Sequence, residues 1–342
     1  MATSSLTRDA ELLALYTGMS YQQAFQIAGA TPRRDPLIPR PAPAQELLER
    51  WVLRTIAWPS HDPVYPWGIV WARPERKHLT LRIDGEATAA EFARVLPPRI
   101  DEDRQLLGIP GARISLPDER GITVSLLGTP ARVRIVGVAS RVWREVLAAA
   151  EKQAHEDENQ VSCQQTSPWQ RTEEEQANAC HLGALSVVRS RRADDTAWLA
   201  SGVLRRVGLW RTLGVPLSTT SWTNPMNPGE QWIIEHIHHA VPEADRHDTF
   251  LRLLTAPGWG LPVQVTDTWC SCERGDAGCL ITVTHRAGLA GELQLRFSRR
   301  TDPCTWQDLS PEEHRPREGL TVRVKPWMLK AVSAAAPVSL SR

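Results

Sequence analysis

The chain has 342 residues, 42% hydrophobic and 23% charged, and its 40 Lys and Arg nearly cancel 39 Asp and Glu for a formal charge of +1. That balance excludes a protein that coats nucleic acid through a general basic excess, so any cationic surface must be local. The length suits two domains of roughly 150 residues each, and the apolar fraction suffices for ordinary cores, which excludes disorder throughout.

The first predicted elements are a helical pair over Asp9 to Gly29. Leu12, Leu13, Leu15 and Tyr16 make a short apolar face, Gly18 suits the positive φ that ends a helix, and Ser20 with Gln23 forms a capping box for the second helix. Ala14 falls where the helices must approach closely, and Ala24 and Ile27 face inward. This is the layout of a helix-turn-helix, whose second helix enters the major groove and whose glutamines pair with adenine. Gln22, Gln23 and Gln26, with Tyr21 beside them, are the candidate binding residues, for DNA or for a protein partner. Prolines and arginines over 31–36 stand where a third supporting helix would follow, which favours docking over groove reading. The alternative to groove reading is a hairpin that docks on the body of the protein or on a partner, with Tyr21, Phe25 and Ile27 as its anchors; the pair is expected to stand apart from the main globule as a recognition arm.

The run Tyr16-Thr17-Gly18-Met19-Ser20-Tyr21-Gln22-Gln23-Ala24 resembles a short N-terminal element of uncharacterised proteins carried by actinobacterial plasmids, transposons and genomic islands. The resemblance is confined to residues 9–30. It implies a transposable or otherwise mobile element as the setting and no mechanism. Only four of the basic residues are lysine (Lys77, Lys152, Lys325 and Lys330), the rest being arginine, and there are 26 prolines. A GC-rich coding sequence produces that pattern without any function.

Residues 1–43 thus comprise the hairpin and a proline-rich connector, and an α+β module is expected over 44–155. Its predicted elements are a helix at 44–57, strands at 69–71 and 79–83, a helix at 87–96, strands at 112–116, 122–127 and 133–138, and a helix at 140–155. Residues 156–180 are polar and acidic and read as a linker. A second α+β module spans 181–330, with a strand at 182–189, a helix at 194–208, loops at 214–216 and 224–229, and strands at 262–268, 279–285 and 292–297; 331–342 read as a flexible tail. Both modules are expected to be antiparallel sheets backed by helices. In each, a strand leads through an acidic turn, Asp84 or Asp194-Asp195, into a helix, which suggests an internal duplication.

Two constellations carry candidate chemistry. Cys270 and Cys272 share a strand face, and the turn after them returns Cys279 beside them; with His285 they would make a tetrahedral zinc set, or else an ordinary hairpin of small residues. Glu235, His236 and His238 form a cluster that would serve acid–base chemistry in an enzyme of unrecognised class. Phosphate-cradling Gly-Lys motifs, dinucleotide fingerprints and nucleophile elbows are absent from the sequence. No signal-like opening and no stretch of ~18 apolar residues occurs, so a cytoplasmic protein without membrane association is expected. The favoured reading is a non-enzymatic accessory or regulatory protein that binds a protein partner or DNA. The alternatives are the enzyme and a zinc-stabilised structural module.

Overall fold

The computed structural model describes residues 4–59, 63–100, 106–156, 160–161, 191–226, 229–239, 247–270, 278–300 and 322–333. Helices α1 (Ser5–Thr17) and α2 (Tyr21–Ala30) open the chain, joined by Gly18 in the left-handed region (φ 79°), whose N–H caps the Ala14 carbonyl. Ser20 and Gln23 form the reciprocal capping box that starts α2.

Module one then runs α3 (Pro43–Thr55), a 3-10 turn (Pro66–Gly68), β1 (Ile69–Pro74), β2 (His78–Ile83), α4 (Glu86–Val95), the short strands β3 (Arg99–Ile100) and β4 (Leu106–Leu107), β5 (Ala112–Ile114), β6 (Ile122–Leu126), β7 (Arg132–Val136) and α5 (Ser140–Glu156). A short β8 (Gln160–Val161), within the expected linker, pairs with β3. Module two runs α6 (Arg191–Leu204), a 3-10 turn (Val207–Thr212), β9 (Val215–Pro225), β10 (Glu230–His239), α7 (His247–Leu254), β11 (Val263–Cys270), β12 (Gly278–His285), β13 (Glu292–Arg300) and α8 (Pro326–Ser333). The strand expected at 182–189 lies outside the described residues, as does most of the linker.

The two large sheets have one plan. Their orders are β1-β2-β7-β6-β5 and, read from the corresponding edge, β9-β10-β13-β12-β11. In each, the second and third strands, β2 with β7 and β10 with β13, run parallel and all other neighbours antiparallel. The sheets are therefore mixed rather than antiparallel throughout, because the helix after the second strand carries the chain across to the far edge. Each first strand has a bulge near its start, at Val70 and at Leu217. With those bulges aligned, burial alternates identically over 69–72 and 216–219. A shared order, shared directions and a shared bulge are what a duplicated module requires.

Three local expectations are corrected. Asp194 and Asp195 lie inside α6, the counterpart of α3, and the counterpart of α4 is α7. Val215-Pro216 and Asn224-Pro225 are the two ends of β9 instead of loops; β9 is an edge strand, where proline costs no central ladder bond. The expected tail begins inside α8, whose Met328 and Val332 are buried.

The largest correction concerns the hairpin. Leu12, Leu13, Leu15 and Tyr16 of α1 are buried in the common core, and the Tyr16 hydroxyl donates to the Leu253 carbonyl of α7 at 2.7 Å. Each such burial contributes ~1.5–3 kcal/mol, which together is comparable to a typical net stability of ~5–15 kcal/mol. So α1 is a core helix and only α2 is an outlying element. The seat of α1 is Gly208, where a Cβ would collide with the Leu15 carbonyl and the Gly18 backbone. Gly208→Ala is expected to cost about 1–3 kcal/mol by overpacking and to shift α1; a drop in denaturation midpoint accompanied by altered Tyr16–Trp259 stacking, read by fluorescence, checks it.

The modules meet along α3 and α6, and the 3-10 turn of each packs on the first strand of the other, an approximately two-fold arrangement. At its centre Trp67 and Trp210, one from each turn, meet edge to face at 5.5 Å. Trp67 has φ 52°, the one non-glycine with positive φ among the described residues, held there by complete burial.

Candidate functional site

On α2 the inner face is spoken for and the outer face is not. Ala24 is buried against α1, whereas Tyr21 and Phe25, one helical turn apart, are 46% and 37% exposed, with ring centroids 5.7 Å apart. Gln22 and Gln26 are exposed beside them. Gln23 is different: its Oε1 accepts from the Ser20 N–H and hydroxyl, so that oxygen is committed to the helix cap. Of the four sequence-selected binding residues, Tyr21, Gln22 and Gln26 therefore form a solvent-facing ridge.

A concavity flanks the ridge on each side. One, of about 850 Å³, lies between Gln26, Ile27 and Ala30 of α2, the connector from Asp35 to Pro43, and the β1–β2 turn. Its cations are Arg40, Arg73 and Arg76, against Asp35 and Glu75; Arg73 pairs with Glu75 at 3.2 Å. The other, of about 1000 Å³, runs between Gly18, Tyr21 and Gln23, Trp71 and Arg82, and the 322–328 segment. It presents Arg82, Arg211, Arg323 and Lys325 against Glu11 and Asp84, and Lys325 pairs with Glu11 at 2.8 Å. Burial lowers the Arg211 pKa from its ordinary value, an effect opposed by Tyr65. Cations outnumber anions among the lining residues of both hollows, but Arg40 is also paired with Glu46 at 3.7 Å, beside the Arg73–Glu75 and Lys325–Glu11 pairs. These arginines were invisible to sequence reasoning because they come from four separate segments that only the fold gathers.

The other candidates are placed as follows. Residues 235–239 are strand, so Glu235 points to the sheet face opposite His236 and His238, and the carboxylate does not join the imidazoles. His236 and His238 are instead buried in module two with His247. Cys270 lies opposite the buried Cys279 across β11 and β12, and Cys272 lies outside the described residues. His285 is at the other end of β12, opposite Val263 and edge-on to Trp198 at 4.7 Å. Six residues of strand, roughly 20 Å, separate it from Cys279, so the two cannot share one ion. Among the described residues no group of three His, Cys, Asp or Glu is arranged to hold a metal, and no helix is long and apolar enough to cross a membrane.

No family model, no curated protein and no solved structure matches this chain.

Proposed function

We propose that the chain is a non-enzymatic cytoplasmic accessory protein whose two modules form a scaffold and whose α2 ridge docks a protein partner. The exposed Tyr21–Phe25 pair on a helix whose other face is committed to the core carries this reading, because paired exposed aromatics mark interaction sites. The resemblance of residues 16–24 to proteins of mobile elements supplies the setting.

Tyr21→Ser with Phe25→Ser is the direct test. Each ring is more than half covered, so the double change should cost about 1–3 kcal/mol and leave the protein folded, while a photo-crosslinker at position 22 in producing cells should lose its specific adduct. An adduct unchanged in the double variant would remove α2 as the docking surface. A second reading is favoured by Gln22 and Gln26, which are both exposed one turn apart, with exposed Arg33 and Arg34 a few residues farther along the chain. On that reading the partner is DNA, and Gln22→Ala with Gln26→Ala should cost ~1–3 kcal/mol per lost base contact in sequence-specific affinity, with a strong salt dependence remaining. Unchanged sequence preference in that variant would end the DNA reading.

A further inference from the structure

A smaller pocket, of about 190 Å³, lies between the connector at 38–41, α6, the approach to β11 and the β12–β13 turn. Trp198, Leu261 and Leu289 give it apolar walls. The Trp198 Nε1 already donates to the Ala290 carbonyl at 3.3 Å, so the indole has only its apolar ring to offer. The volume equals roughly six waters and falls below the ~300–1,000 Å³ of sites for drug-sized ligands. It suits an occupant of on the order of ten non-hydrogen atoms or fewer.

The titratable side chains in the lining are Arg40, Glu46, Arg205, Arg206 and His285. Arg205 is answered by the Glu49 carboxylate at 2.6 Å, and Arg40, whose side chain is 75% exposed, by Glu46 at 3.7 Å. Arg206 has no such partner. Its Nε donates to the Trp259 carbonyl at 2.6 Å and its Nη1 to the Gly202 carbonyl at 3.1 Å, while among the described residues nothing accepts from Nη2 and no carboxylate pairs with the group. Burial lowers its pKa to about 10, with Tyr16 opposing the fall and Arg205 adding to it. The Tyr16 hydroxyl is itself held far above the usual phenol range by burial, so it is neutral and brings no charge. A guanidinium withdrawn from water is costly until an anion answers it. His285 adds a neutral donor. Its Nδ1 accepts the Ala287 N–H at 3.0 Å, which assigns the ring proton to Nε2, and burial, then the charge of Arg40, lower its pKa.

We propose that this pocket binds a small organic monoanion, a carboxylate on an apolar body, with the carboxylate against Arg206, Arg40 and His285 Nε2 and the body against Trp198, Leu261 and Leu289. One uncompensated cation calls for one negative charge, and the planar guanidinium matches a carboxylate better than a spherical ion. The apolar walls call for hydrocarbon behind that charge, which an inorganic anion lacks. The site is independent of the docking reading of α2, because no residue of the Tyr21, Gln22 and Gln26 ridge lines it.

Benzoate, phenylacetate and hexanoate, titrated into the full chain at pH 7.5 and followed by calorimetry and by the rise in melting midpoint, test this. At least one should saturate a single site per chain. Its uncharged amide should bind about tenfold more weakly or worse, since the bond to the guanidinium loses its charge assistance, and sulfate, an anion without the body, should do the same. Arg206→Gln should weaken the carboxylate by about tenfold; Arg40→Gln and Leu289→Glu, at the exposed rim, should weaken it in the same direction. Absence of saturable binding by all three acids, an amide or sulfate that binds as tightly as the acid, or affinity unchanged in Arg206→Gln and Arg40→Gln would overturn the site. Should Arg206→Gln fail to fold, the two rim variants and the amide comparison still decide. Tyr21→Ser with Phe25→Ser should bind the acid as the wild type does, so loss of the docking reading and loss of this site are told apart.

Discussion

Arg205→Met is expected to lower stability by about 3–5 kcal/mol, the cost of breaking a buried pair by removing one partner. Arg205 and Glu49 are fully buried and paired at two points, Nε to Oε2 at 2.7 Å and Nη2 to Oε1 at 2.6 Å. Arg205 also donates to the carbonyls of Pro39 and Glu75, and Glu49 also accepts from Ser201 and Gln45. Gln45 in turn bonds both backbone groups of Arg132 at the start of β7. One guanidinium therefore ties α3, α6, the connector and the β1–β2 turn together. In Arg205→Met the Glu49 carboxylate would be left buried with only two neutral donors, and two carbonyls would lose theirs. Urea denaturation read by tryptophan fluorescence gives the number. The double variant Glu49→Met, Arg205→Met should be less damaged than the sum of the two single changes, because it leaves no orphaned charge; strict additivity would show that the pair is not acting as a unit.

Trp210→Ala should cost a comparable ~3–5 kcal/mol through a large core cavity. The indole touches Trp67 of the other module, Phe250 at 5.1 Å, His236 at 5.6 Å and Phe297 at 6.4 Å, so its loss hollows the point where both modules meet. The exposed Trp58, 60% accessible and stacked on Trp222 at 5.5 Å, is the control: Trp58→Ala should change the midpoint little. A Trp210→Ala protein with a near-normal midpoint would mean that the α3–α6 contact and the Glu49–Arg205 network hold the modules without the indole.

What the residues disclosed locally was considerable. The capping box at Ser20 and Gln23 and the turn at Gly18 follow from side chains and backbone that satisfy their own helix ends, and the longer elements from α3 to α5, though not the short β3 and β4, follow from periodicity, all within a few residues of chain. Strands β9 and β10 were less legible, since Pro216 and Pro225 imitate loop residues and Glu235 to His239 satisfy helix and strand spacing equally. The zinc set looked plausible because spacing conveys how far apart residues are along the chain but not that β12 extends straight between Cys279 and His285.

The sequence by itself determined the α+β character, the hairpin with its cap, and the outward placement of Tyr21, Gln22 and Gln26, because each depends on interactions spanning at most a helical turn. Tertiary structure alone decided that α1 is core, that one parallel junction lies inside each sheet, that arginines flank the α2 ridge, and that three histidines of module two are buried together. Those outcomes depend on contacts between residues distant in the chain, such as His78 with Arg132, Glu49 with Arg205 and Tyr16 with Leu253. Long-range pairing is selected by burial across the whole chain, which no local pattern encodes.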